Sequence, residues 1–165
     1  MWWGRRRKRA KSHNAELLRN NCRYATITTE IQMNARLHHT GIIVANIEAY
    51  LANSFWELRG EIVTDPLQQA RLCMVGLPGE EAKAELIEPI GENSRMYATL
   101  QRGPGPHHLC FHVATMTDGD ALIREYRLLP VTPWEPAVLF AGRAVRFVYS
   151  RSRELMELLC DEIIA

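Results

Sequence analysis

The chain lacks any apolar run approaching the ~20 residues that a membrane-spanning helix needs, and this excludes a helical span. It has little cysteine: Cys22, Cys73, Cys110 and Cys160 are widely spaced, with no C-x-x-C and no zinc-finger spacing. That excludes a disulfide framework and points to a reducing, cytoplasmic setting, with Cys73 and Cys110 serving as small hydrophobes in apolar runs. A net charge of only +1 gives no overall polyelectrolyte character. What is present is ordinary for a globular protein: 165 residues, 47% hydrophobic and 24% charged, enough for one domain with a real core.

The small net charge conceals an asymmetry. Residues 1–35 hold eight Lys/Arg against two Asp/Glu, which leaves twelve against seventeen, or −5, in the remainder. The basic excess centres on Arg5, Arg6, Arg7, Lys8 and Arg9 and reads as a solvated, disordered tail over 1–35. No apolar segment follows it, so it is not a secretory signal. Met33, just before the first strong strand, is an alternative start. The acidic balance of the remainder argues against nucleic acid as a partner.

Beyond the tail, residues 37–44 read as a buried strand rich in β-branched residues. Asn46 offers an N-cap, and Ile47, Tyr50, Leu51, Phe55 and Leu58 follow at helical spacing until Gly60. Strands are expected at 61–64, 70–75 and 83–88. A connector over 91–106, with a short helix from Ser94 to Leu100, ends in Gly-Pro-Gly-Pro. The pattern then restarts: a strand at 107–113, a helix at 118–128 capped by Thr117 or Asp118, and strands at 129–131, 143–149 and 155–159. Both halves, about 37–90 and 107–160, read β-α-β-β-β. A single repeat would expose one sheet face, so the two must pair.

The duplication carries chemistry. The doublets His38-His39 and His107-His108 stand sixty-nine residues apart, and each half closes on a strand with one Glu inside an apolar run, Glu85 and Glu157. A charge in such a place needs a cation or a metal. Strand alternation puts His39 and His108 on one face and turns His38 and His107 to the other. Packed about a pseudo-twofold axis, His39, Glu85, His108 and Glu157 would converge. Two imidazoles and two carboxylates suit a divalent transition metal with positions left open for substrate.

The segments His39-Thr-Gly-Ile-Ile-Val, Ala84-Glu-Leu-Ile-Glu-Pro-Ile-Gly, Gly105-Pro-His-His-Leu-Cys-Phe-His-Val and Met156-Glu-Leu-Leu resemble the signature strands of the vicinal oxygen chelate superfamily. This superfamily includes glyoxalase I, extradiol dioxygenases, bleomycin-resistance proteins and methylmalonyl-CoA epimerase, and the epimerase branch is the nearest likeness. The resemblance spans residues 36–161. It implies an α+β fold of two βαβββ modules forming an open, cupped sheet around a divalent metal (Co, Mn, Ni, Zn or Fe). The ligands implied are His39, Glu85, His108 and Glu157.

The implied activity is that of an epimerase, isomerase or lyase that abstracts a proton next to a carbonyl, with Glu157 both ligand and base. A small molecule such as an acyl-CoA is the implied partner, and a homodimer is expected by analogy. Alternatives are a glyoxalase I-like lactoylglutathione lyase and a non-catalytic small-molecule-binding protein of the antibiotic-resistance type. In several epimerases a second glutamate follows, by four residues, a Gln that resembles Gln68; here that position is Leu72. Glu61 is a substitute acid or, equally, a solvated strand residue. Gln68, Arg71 and Arg143 are candidates to line the substrate cleft. His112, Trp56, Trp134, Met74 and Met116 read as packing residues.

Overall fold

A computed structural model describes residues 35–164. The basic cluster, and all of the expected tail except Ala35, lie outside the described residues. Nine strands form one open, cupped sheet in the order β2-β3-β4-β1-β5-β9-β8-β6, with β7 also paired to β8. The first module contains β1 (Arg36–Ile43), α1 (Ile47–Ala52), β2 (Glu57–Asp65), β3 (Ala70–Gly76) and β4 (Ala82–Pro89). The short helix α2 (Tyr97–Leu100) lies in the connector. The second module contains β5 (Gly105–Val113), α3 (Met116–Tyr126), β6 (Leu129–Pro130), β7 (Glu135–Ala137), a 3-10 turn (Val138–Phe140), β8 (Arg143–Tyr149) and β9 (Leu155–Ile163). Among the described residues no helix is long and apolar enough to cross a membrane.

The topology repeats with the sequence. In each half the first strand lies parallel to the last, β1 beside β4 and β5 beside β9. The halves meet where β1 and β5 run antiparallel, with Thr40 opposite Leu109 at the middle of the seam. The helices seal the outer face. Ile47, Tyr50 and Leu51 of α1 pack on Val44, Cys73, Val75 and Leu86, and burying Ile47 alone contributes about 2 kcal/mol. Ile123 of α3 packs on Val148 and Leu158, with Trp134 wedged beside them. On the other face Ile43, Ala70, Leu72, Ile87 and Met96 form a separate apolar cluster.

Several expected elements are redrawn. The first helix ends at Ala52, well short of Leu58, and Phe55 is exposed. Its helical spacing with Ile47 and Leu51 is a coincidence of a turn and a strand: Trp56 joins the cluster under α1 from the turn, and Leu58 already belongs to β2. Gly60 does not end a helix. It sits inside β2 at a break in the pairing with β3, with φ of +93°, a conformation that suits only glycine. Helix α3 starts earlier than expected because Thr115 caps it, accepting from the Asp118 backbone N–H at 3.1 Å.

Candidate metal centre

Two rows of cross-strand neighbours build the centre. One runs Met74, Glu85, Gly41, His108 across β3, β4, β1 and β5. The other runs His39, Cys110, Glu157, Phe147 across β1, β5, β9 and β8. Each row draws on both modules, so the four candidate ligands meet over the seam. The rows are related by the pseudo-twofold axis between Thr40 and Leu109, which exchanges His39 with His108, Glu85 with Glu157 and Gly41 with Cys110.

Gly41 makes the convergence possible. A Cβ there would lie 2.3 Å from the Cε1 of His108, so the imidazole occupies the space a side chain would take. On the opposite side Cys110 stands fully buried across from His39. Phe140 lies against both His38 and His39, at centroid distances of 5.5 and 5.6 Å, and Phe147 meets His108 edge-on at 5.4 Å.

The geometry is close to that of a metal cage. His39 Nε2 lies 3.4 Å from Oε2 of both Glu85 and Glu157; His108 Nε2 lies 3.5 and 3.4 Å from the same two oxygens. The two Nε2 atoms are 3.4 Å apart. A regular tetrahedron of that edge has its centre roughly 2.1 Å from each corner, the length of a zinc–imidazole or zinc–carboxylate bond. All four residues are buried, and Glu157 Oε2 has no hydrogen-bond partner. A buried carboxylate oxygen with no aligned donor, itself one of four converging ligand atoms, fits a divalent cation.

Without the cation, charge is balanced by a proton. Burial disfavours a charged His39, but the flanking carboxylates of Glu157 and Glu85 outweigh it and raise its pKa to about 9. Burial works against the ionised Glu157 as well, yet the contacts with His108 and His39 hold its carboxyl far below the usual range. The trio His38, His39 and Cys110 also lies within ligand reach. A metal there would need the Cys110 thiolate, and burial beside Glu157 pushes that thiol well up. The tetrad is the better fit.

The remaining candidates separate. Gln68 lines a cleft of about 170 Å³ with Met96, Thr99, His107, Phe147 and Tyr149. This adjoins a larger one of about 410 Å³ to which His108, Arg102 and Arg153 contribute. Arg71 does not line it. Strand alternation turns Arg71 to the helix face, where it is held by Glu48 and by Glu88 at 3.0 Å. Arg143 lies on the tetrad's face but at another opening, beside His38 and His112, and its guanidinium bonds Asp161 at 2.6 Å. His112 shares that Asp161 at 3.0 Å. Glu61 is exposed on β2, two strands away from Glu85, and is not brought to the tetrad. Leu72 is buried among Ile43, Ala70, Ile87 and Met96.

One expectation about the doublets is overturned. His38 and His107 do not turn to the opposite face, because each is the extra residue of a β-bulge. The β1–β5 register slips between Leu37 and His39, and again between Gly41 and Ile42, where β5 advances from His108 to Pro106. Strict alternation assumes an unbroken ladder, and both outer histidines interrupt it.

Comparison with known proteins agrees with the fold and the duplicated strands. A family model described as Glyoxalase/Bleomycin resistance protein/Dioxygenase superfamily matches residues 38–147. The ethylmalonyl-CoA/methylmalonyl-CoA epimerase of Cereibacter sphaeroides is 27% identical over 124 residues, covering 72% of this chain and 91% of the relative. The crystal structure of methylmalonyl-CoA epimerase from Mycobacterium tuberculosis superposes with a TM-score of 0.64 at 25% identity, over 76% of this chain and 87% of that one. A hypothetical protein from Bacillus halodurans gives 0.66 at 25% identity, over 79% and 97%. By fold, by paired modules and by this match, the chain belongs to the glyoxalase/bleomycin resistance protein/dioxygenase superfamily.

Proposed function

We propose that the protein is a divalent-metal-dependent epimerase or isomerase that moves a proton next to a carbonyl, with an acyl-CoA thioester as its substrate class. The observation that carries this reading is the buried tetrad with its unpartnered Glu157 Oε2. The epimerase relative, matched over 91% of its length, supports the choice of substrate. His39, Glu85, His108 and Glu157 would hold the cation, which when bound supplies Lewis-acid polarisation of a substrate carbonyl.

The chain's own residues do the rest. Glu157 takes the proton from the carbon next to the carbonyl, and for epimerisation another acid returns one to the opposite face. It stands on β9 two residues from the cleft residue Leu155, with Phe147 as its cross-strand partner. Phe140 and Phe147 flank the imidazoles and limit water around the tetrad. Gln68 and Thr99 offer polar contacts at the cleft wall.

Leu72 bears on the stereochemistry. Two-base epimerisation needs a second acid on the far side of the substrate, and Leu72 carries no proton. This favours, as a second reading, a glyoxalase I-like isomerisation in which one carboxylate removes and returns the proton on a single face. A purely ligand-binding role accounts less well for four candidate ligands in one buried cluster.

Incubating metal-loaded protein with 2-methyl-branched acyl-CoA thioesters in heavy water tests the reading. Deuterium should appear at the α-carbon, together with inversion if the protein is an epimerase. Exchange without inversion would select the one-face reaction. Absence of exchange with every such thioester would overturn the epimerase assignment.

A further inference from the structure

The outer histidines are unexplained by a four-ligand centre. His38 and His107 come from different modules, yet each is the bulged residue immediately before an inner histidine. Each brings its Nδ1 to the inner ring's Nδ1, at 2.8 Å for His38–His39 and 3.0 Å for His107–His108. The ring pairs are nearly superimposable in geometry: centroids 5.1 Å apart at 77° in one and 5.1 Å apart at 78° in the other. A bulge is the device by which a strand spends an extra residue to re-aim a side chain. Here it occurs twice, in pseudo-symmetric places, with the same result.

Two Nδ1 atoms in hydrogen-bond contact share one proton, and the inner rings decide where it sits. Nε2 of His39 and of His108 points at the carboxylate oxygens and at the other Nε2, so it is the nitrogen that offers a lone pair to a metal. A neutral imidazole ligating through Nε2 carries its proton on Nδ1. The inner Nδ1–H therefore donates and the outer Nδ1 accepts, which places the outer ring's own proton on Nε2.

We propose that His38 and His107 are positioning residues that accept the Nδ1–H of His39 and His108 and so fix both inner rings with Nε2 presented to the metal. The outer partner of a metal-bound histidine is ordinarily a carboxylate, a backbone carbonyl or water; here it is an imidazole, supplied by the adjacent residue in each module. The proposal rests on the metal reading of the tetrad. It adds a second pair of histidines to the site, neither of which touches the metal.

Zinc titration of the metal-stripped full-length protein, by competition with a chromophoric chelator, provides the test. His38→Ala and His107→Ala should each weaken zinc binding by about 10–100-fold, the usual cost of losing an outer partner. His38→Asn and His107→Asn, whose amide oxygen can take the place of Nδ1, should recover most of that loss. Independently of any variant, long-range 15N–1H spectra of the zinc-loaded parent should show Nδ1 protonated in His39 and His108 and Nε2 protonated in His38 and His107. Alanine variants that bind zinc within twofold of the parent, or an Nδ1-protonated His38 or His107, would overturn the assignment. If the parent binds zinc and His39→Ala does not while the outer variants are unchanged, only this inference fails. A parent that binds no zinc removes the metal reading and this inference together.

Discussion

The two modules offer the same candidate ligands from equivalent strands, yet they differ at the residue two positions beyond each inner histidine. In the first module this is Gly41, and the ring of His108 fills the space its side chain would take. In the second it is Cys110, fully buried opposite His39. Their outer walls differ too. β2 is a nine-residue strand, whereas its counterpart is split into β6 of two residues and β7 of three, with Pro130, Pro133 and Pro136 along that stretch. Proline cannot donate to a ladder, so the second module's wall stays broken, and Val131 and Thr132 line the cleft at the gap. Duplication thus supplies the candidate ligands in pairs, and departures from symmetry supply the room around them.

The largest effect should come from making the first module like the second. Gly41→Ala should displace His108, abolish zinc binding in the chelator competition, and cost about 1–3 kcal/mol in urea unfolding through overpacking. Replacing Leu72 by Glu introduces a carboxylate into the first module's apolar cluster. It should lower stability by several kcal/mol through desolvation and, where the variant folds, raise the ratio of inversion to exchange in the heavy-water assay.

A third effect is specific to His39. Its folded pKa of about 9 lies above the unfolded value of 6.5. The stabilisation of the metal-free protein is therefore complete below pH 6.5 and is lost as pH rises through 9, which thermal unfolding of metal-stripped protein should show. Metal affinity should climb across that window, because the ion then displaces fewer protons. The smallest effect is expected from Cys110→Ala, which removes one sulfur from beside His39: about 1 kcal/mol of stability in urea unfolding, with zinc affinity held within a few-fold.

Much of the fold was legible because it is written twice. Type and spacing of His39, His108, Glu85 and Glu157 recur across the halves, and a coincidence at four positions outweighs the ambiguity of each one. β8 matches the expected 143–149, although its pairing with β9 slips between Arg143 and Val145. What could not be read were the events that interrupt a period. Nothing in the letters His38-His39 marks a bulge, because slippage depends on the partner strand's register. Phe55 and Leu58 continued a helical spacing that the chain abandons at Asn53. Arg71 looked like a cleft residue because of its neighbour Gln68, but a turn between them and the step onto β3 direct the two side chains to different faces. Glu61 was drawn in as an acid just ahead of Gln68 in the same segment, and nearness in sequence does not carry a residue across two strands.

The seam between β1 and β5 also bears on how long the molecule takes to form. Its pairings join residues about seventy positions apart, such as His39 and Cys110, after each half has had the chance to build its own shorter-range contacts. Ladders of such separation are closed late, because the entropy of a long loop is lost before the contact repays it. The four candidate ligand atoms exist as a set only once that ladder is zipped. Refolding of the metal-free chain should therefore show the centre's chelating power appearing in the slowest phase, behind the helical and β3–β4 signals.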